Sequence, residues 1–120
     1  MAIIAMCMPI LAGKKEQWQE MMDQVTNDPT FAASREDAGV HERSFLQETP
    51  AGDFVILTFE GDDPEASFAK IMQNMPADFA EFAKDVHGLD VNTLPPTMPK
   101  LVFDSRAVSY THLRAHETEL

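Results

Sequence analysis

The sequence predicts an α+β domain, a four-stranded antiparallel sheet with helices packed on one of its faces. Three observations predict it. The hydrophobic period alternates along the chain between extended runs and helical stripes, in the order strand, helices, strand, strand, helices, strand. The two middle strands are joined by a short Pro/Gly connection, which reads as an antiparallel hairpin. A length of 120 residues, with 44% hydrophobic and 24% charged, fits one ordinary globular domain and leaves no room for two.

Residues 1–10 form an apolar run bounded by Pro9 and Gly13, of a length that suits a strand buried on both faces. The period then changes. Trp18, Met21, Met22 and Val25 fall at i, i+3, i+4 and i+7, the apolar stripe of an amphipathic helix over 14–25. Asn27-Asp28-Pro29 breaks that helix and starts another, with Asp28 as cap and Pro29 in the first turn; Gly39 stops it. Residues 40–48 and 54–60 are the second and third strands, joined by Thr49-Pro50-Ala51-Gly52-Asp53. Asp63 and Pro64 open the next helix, whose stripe is Phe68, Ile71, Met72 and Met75. Pro76 kinks or restarts it, Phe79, Phe82, Ala83 and Val86 continue the spacing, and Gly88 ends it. A proline-rich loop over 89–100 leads to a short last strand at 101–103.

This order is the split β-α-β pattern of a ferredoxin-like domain. Phe54-Val55-Ile56-Leu57-Thr58-Phe59 is apolar on both faces. One face packs on the helices. The other requires a cover, because an antiparallel strand with one wet face alternates with polar residues. A second subunit supplies that cover most economically, so a homodimer is expected.

Three stretches carry a resemblance. Phe45-Leu46-Gln47-Glu48-Thr49-Pro50-Ala51-Gly52-Asp53-Phe54-Val55, then Glu60-Gly61-Asp62-Asp63-Pro64, then Val86-His87-Gly88-Leu89-Asp90 are similar to an uncharacterised bacterial family. The element order and the two-sided hairpin resemble the dimeric α+β barrel superfamily over about residues 2–105. That superfamily includes antibiotic-biosynthesis monooxygenases, haem-degrading enzymes and muconolactone isomerases, which share a fold and not one mechanism. The resemblance implies a dimeric barrel and brings no catalytic residue set with it.

The last segment has another origin. Val-Ser-Tyr-Thr-His-Leu-Arg-Ala-His-Glu-Thr, residues 108–118, resembles the one-frame translation of a transposase adapter used in sequencing libraries. An untrimmed read end in a metagenomic gene is the expectation, which sets the domain at 1–106 and a non-native tail at 107–120. His112, His116 and Glu117 stand at helical spacing but lie in that tail, so no metal site is read from them.

The composition excludes several classes of function. The formal net charge is -11 with no cluster of Lys or Arg, which argues against gripping nucleic acid or an anionic membrane. No apolar run approaches the ~20 residues of a membrane span. One cysteine, Cys7, leaves neither an intrachain disulfide nor a cysteine-based zinc site, and its apolar surroundings predict a buried, inert thiol. The N-terminus has no positive region and no small-residue cleavage site, so the cytoplasm is the expected compartment. There is no Gly-rich phosphate loop, serine nucleophile elbow or His-Glu-x-x-His motif. Asp62, Asp63 and Glu65 are placed to complement a helix N-terminus. No metal and no cofactor are expected.

The residues able to carry chemistry are few. His41, Arg43, Phe45 and Gln47 share one face of the second strand by period-two alternation. A base, a cation, an aromatic ring and an amide on one face could line a small cavity; the plainer reading is a solvated edge with Arg43 in an ion pair. His87, at a helix end before Gly88, is a candidate general base or haem ligand, or a side chain that bonds the last carbonyls. Trp18 could stack on a flat ligand or fill the core. The eight methionines read as core filler. The expected function is a small dimer that binds an apolar ligand, with cofactor-free monooxygenase- or isomerase-like activity at His41, Arg43 and His87 and ligand contacts from Trp18, Phe45 and Gln47. The alternatives are a non-catalytic binding or scaffolding dimer and, last, a haem-binding protein.

Overall fold

A computed structural model of the chain describes residues 2–92 and 97–107. Pro95 and Pro96 and the adapter-like tail lie outside the described residues. Strand β1 (Ala2–Ile10) and strand β2 (Val40–Thr49) both pair antiparallel with strand β3 (Gly52–Gly61), giving the order β1-β3-β2. Helices α1 (Lys15–Thr26) and α2 (Pro29–Asp37) follow β1, and α3 (Pro64–Gln73) and α4 (Ala77–His87) follow β3. A single helical turn, α5 (Ser105–Ala107), comes last. The molecule is therefore α+β, with the hairpin and the helix pairs in the order the periodicity predicts.

Local chemistry sets the helix ends. The Asp28 side chain accepts from the Thr30 amide at 2.9 Å and the Asp63 side chain from the Ala66 amide at 3.2 Å, each followed by a proline, which has no N–H that needs an acceptor. Pro76 separates α3 from α4 with an extended backbone. Gly88 closes α4 in the left-handed region (φ 67°), where its amide and that of Leu89 return to the carbonyls of Lys84 and Ala83. Gly61 has a different reason for being glycine. A Cβ there would stand 2.3 Å from the carbonyl oxygen of Gly39, where β2 begins against the end of β3.

The register sorts the strand residues into two sets. Ile4, Phe59 and Glu42 form one cross-strand row, Met6, Leu57 and Ser44 the next, and Met8, Val55 and Leu46 a third. This set faces the helices: Met6, Val55 and Phe59 are buried among them, with Val86 of α4 wholly inside. The intervening rows face away. They are Ile3, Glu60 and His41; Ala5, Thr58 and Arg43; Cys7, Ile56 and Phe45; and Pro9, Phe54 and Gln47. The second face is thus largely apolar, as the sequence of β3 requires, and Phe45 is 53% exposed on it.

One expectation is corrected, and the fourth strand is not seen among the described residues of the single chain. Cys7 is exposed, not buried. It sits in an apolar run, but its parity sends it to the sheet face away from the helices. Residues 101–103 do not pair as a fourth strand, and Leu101, Val102 and Phe103 are 66%, 90% and 68% exposed. Three residues make few ladder bonds, and Pro99 just before them can donate none, so within a single chain little holds the segment to the sheet.

Candidate functional site

The helices do not close onto the sheet. Between them lies a cavity of about 650 Å³, within the range of small-molecule sites. Met6 and Met8 of β1 and Val55, Leu57 and Phe59 of β3 line its sheet side. Trp18, Met22 and Val25 of α1, Phe68, Ile71 and Met72 of α3, and Phe79 and Phe82 of α4 line its helix side. The stripes that placed these side chains inward are the ones visible in the sequence. Of the methionines expected as core filler, Met6 is buried in the core and Met8, Met21 and Met22 pack against it, while Met72 and Met75 add flexible, polarisable wall to the open space.

A row of rings crosses the helix side of the cavity. Phe31 of α2 stacks on Phe79 with centroids 5.8 Å apart, Phe79 lies 5.9 Å from Phe82, and Phe82 meets the His87 ring edge-on at 5.8 Å. At the far end the Arg35 guanidinium lies 4.2 Å over the Phe31 ring. Arg35 Nε also donates to Glu42 Oε1 at 2.7 Å, in a half-buried ion pair that joins α2 to β2. This pair, with Thr26, Glu36 and Ser44, makes up the polar part of the lining that the sequence does not single out. The available signal was weak: Glu42 alternates with the His41 and Arg43 face, and Arg35 precedes it by seven residues.

His87 marks the opposite end. It is the buried polar residue of the core, at 7% exposure. Its Nδ1 lies 2.8 Å from the Pro9 carbonyl oxygen. A carbonyl only accepts, so Nδ1 carries the proton and the neutral ring keeps its lone pair on Nε2. Burial lowers the His87 pKa below the ordinary histidine value, and the Pro9 bond opposes that fall. The helix end is fixed beside it: the Leu11 amide donates to the Val86 carbonyl at 2.8 Å, and Lys14, at the N-cap of α1, and Gln17 within it both donate to Asp85 at 2.9 Å. The plain role expected for His87, a bond to the last carbonyls of its own helix, is not the one seen: the ring is buried and its bond runs to a strand carbonyl.

The sequence-derived candidates thus divide. Trp18 and His87 border the cavity. His41 reaches its rim, but its register with Glu60 puts it in the outward set. Arg43, Phe45 and Gln47 are exposed on the outer sheet face. There Arg43 Nη1 donates to Glu60 Oε1 at 3.2 Å, the ion pair of the plainer reading, and the Gln47 amide bonds the Glu48 carbonyl. Within one chain Arg43 does not converge with His87, because the sheet stands between them, and His41 meets the cavity only at its rim. No cluster of three or more metal-ligating side chains occurs among the described residues. No helix among them is long and apolar enough to cross a membrane. Compared with known proteins, the chain matches no family model and no curated protein.

Proposed function

We propose that this protein binds a small, mostly apolar molecule in the cavity between its sheet and its helices. One observation carries this reading: about 650 Å³ of space walled by aromatic and methionine side chains, with a buried histidine at one end. A core of this size would ordinarily close to crystal-like density, and an empty apolar volume forfeits dispersion contacts that an apolar ligand restores. Binding is favoured over catalysis, because Arg43 stands on the outer sheet face and His41 meets the cavity only at its rim, so the three candidates do not gather around one point in it. Cofactor-free oxygenase or isomerase chemistry would have to run without Arg43, with His87 as the buried base toward a bound ligand.

The working form in this proposal is a homodimer with the outer sheet faces together. The largely apolar outer face supports it, as does Thr58 Oγ1 on that face, which is buried and has no hydrogen-bond partner among the described residues. In the same proposal residues 101–103 add a fourth strand beside β1, giving the ferredoxin-like order of a dimeric α+β barrel. The test is titration with Nile red, an uncharged apolar dye, alongside native mass spectrometry of the purified protein. Saturable binding of one dye per chain, displaced by any molecule that co-purifies, is expected. Absence of saturable binding with the protein folded would overturn the proposal.

A further inference from the structure

The polar groups around the cavity also limit the kind of ligand it can take. Resting on the binding reading above, we infer that the ligand is an uncharged apolar alcohol or phenol, whose hydroxyl donates to Nε2 of His87. Three observations carry this. First, the Pro9 carbonyl fixes the imidazole tautomer: with Nδ1 committed as donor at 2.8 Å, the other nitrogen can only accept from a ligand. An ether, ketone or ester oxygen offers it nothing, and a hydroxyl does. Second, Arg35 is the one lysine or arginine of the lining, and it is already engaged. Its Nε holds Glu42 at 2.7 Å and its plane lies on Phe31. A ligand carboxylate would have to break that pair and leave Glu42 half-buried without its counter-charge, a costly exchange. Third, the lining carries two carboxylates, Glu36 and Glu42, against that one guanidinium, so the local field disfavours an anion. The row from Phe31 through Phe79 and Phe82 to His87 presents ring faces and edges leading to the histidine, which suits a ring bearing its hydroxyl at one end.

The test uses three probes of one shape, para-butylphenol, para-butylanisole and para-butylbenzoate, at about pH 8, where the phenol remains neutral and the benzoate is charged. Trp18, the single tryptophan of the chain and a lining residue, reports binding by its fluorescence. The phenol should bind on the order of ten-fold more tightly than the anisole, the worth of one net hydrogen bond, and the benzoate should bind at least as weakly as the anisole. The variant His87→Leu should bind phenol and anisole alike. Equal affinity for phenol and anisole in the wild type overturns the role of His87 while leaving the cavity a binding site. Tightest binding of the benzoate overturns the choice of an uncharged ligand in the same way. Failure of all three to bind folded protein overturns both this inference and the binding reading. If His87→Leu does not fold, the wild-type series still decides.

Discussion

Replacing His87 by leucine separates what this side chain does for the fold from what it does in the cavity. Leucine keeps most of the ring's volume, so the cavity left behind is small, and the main loss is the donor to Pro9. The Pro9 carbonyl then sits beside a buried apolar group with no replacement partner, a cost of about 1–3 kcal/mol. That cost has a distinctive pH dependence. Burial lowers the His87 pKa in the folded protein, so between that value and about 6.5 the unfolded chain binds more protons than the native one. Stability from the neutral, buried histidine is therefore complete above about pH 6.5 and is lost as the pH falls toward the folded pKa, at up to about 1.4 kcal/mol per pH unit. Leucine has no such slope. Urea unfolding of both proteins, followed by far-ultraviolet circular dichroism between about pH 8 and pH 5, should show the widest gap at high pH and a narrowing gap below about 6.5. The carboxylates with shifted values, Asp28 and Asp85, are held below 3.8 by their hydrogen bonds and stay ionised throughout that window. Two curves that fall in parallel would refute the reasoning, since the titrating group would then lie elsewhere.

Phe59→Ala should cost about 3–5 kcal/mol, because the ring is 2% exposed and meets Phe68 edge-on at 5.3 Å; a loss under about 1 kcal/mol in urea unfolding would contradict its place in the core. Asp63→Ala should cost about 1 kcal/mol by removing the cap of α3, and Asp63→Asn should recover most of it in the same measurement. Ile56→Glu puts a charge in the middle of the outer sheet face. Sedimentation should show a wild-type dimer and a variant monomer, and a wild type that is monomeric at micromolar concentration sinks the face-to-face assembly. Deleting residues 108–120 should leave stability within about 0.5 kcal/mol; a large drop in Tm would mean that the adapter-like tail packs.

The elements with a local cause were legible in the sequence. Asp28-Pro29 and Asp63-Pro64 announce helices because a carboxylate can take the first free amides and a proline lacks the donor that would be orphaned there. Gly88 announces an end because the left-handed turn after α4 suits glycine. The hairpin was visible because its turn residues and its flanking β-branched and aromatic residues agree. The fourth strand had no such agreement behind it. Three apolar residues after a proline resemble a strand in period, but period alone does not supply a partner, and the described residues leave them exposed.

The site was harder to read for a reason that lies in β2. Its odd-numbered residues, His41, Arg43, Phe45 and Gln47, mix polar and apolar groups, and so do its even-numbered ones, Val40, Glu42, Ser44, Leu46 and Glu48. Alternation says that the two sets face opposite ways but cannot say which faces in, and β3 gives no help because it is apolar on both faces. The choice is made by tertiary compensation. Glu42 can turn toward the helices because Arg35, arriving on α2, neutralises it at 2.7 Å, whereas Arg43 finds its partner Glu60 on the neighbouring strand within the outer face. An acidic residue on an inward strand face looks from sequence like a violation of patterning. Here it reports a cation on another element, and the same pair sets the charge at one end of the cavity. His87 was visible as a candidate because histidine is rare in this chain, but its partner was not. The bond to Pro9 joins residues 78 apart in sequence, and only the packing of the α4 end against the β1 end brings that carbonyl within reach. The chemistry of the imidazole is therefore set by a backbone carbonyl contributed from another element. This is why a list of titratable side chains could name the residue but not which nitrogen it would offer.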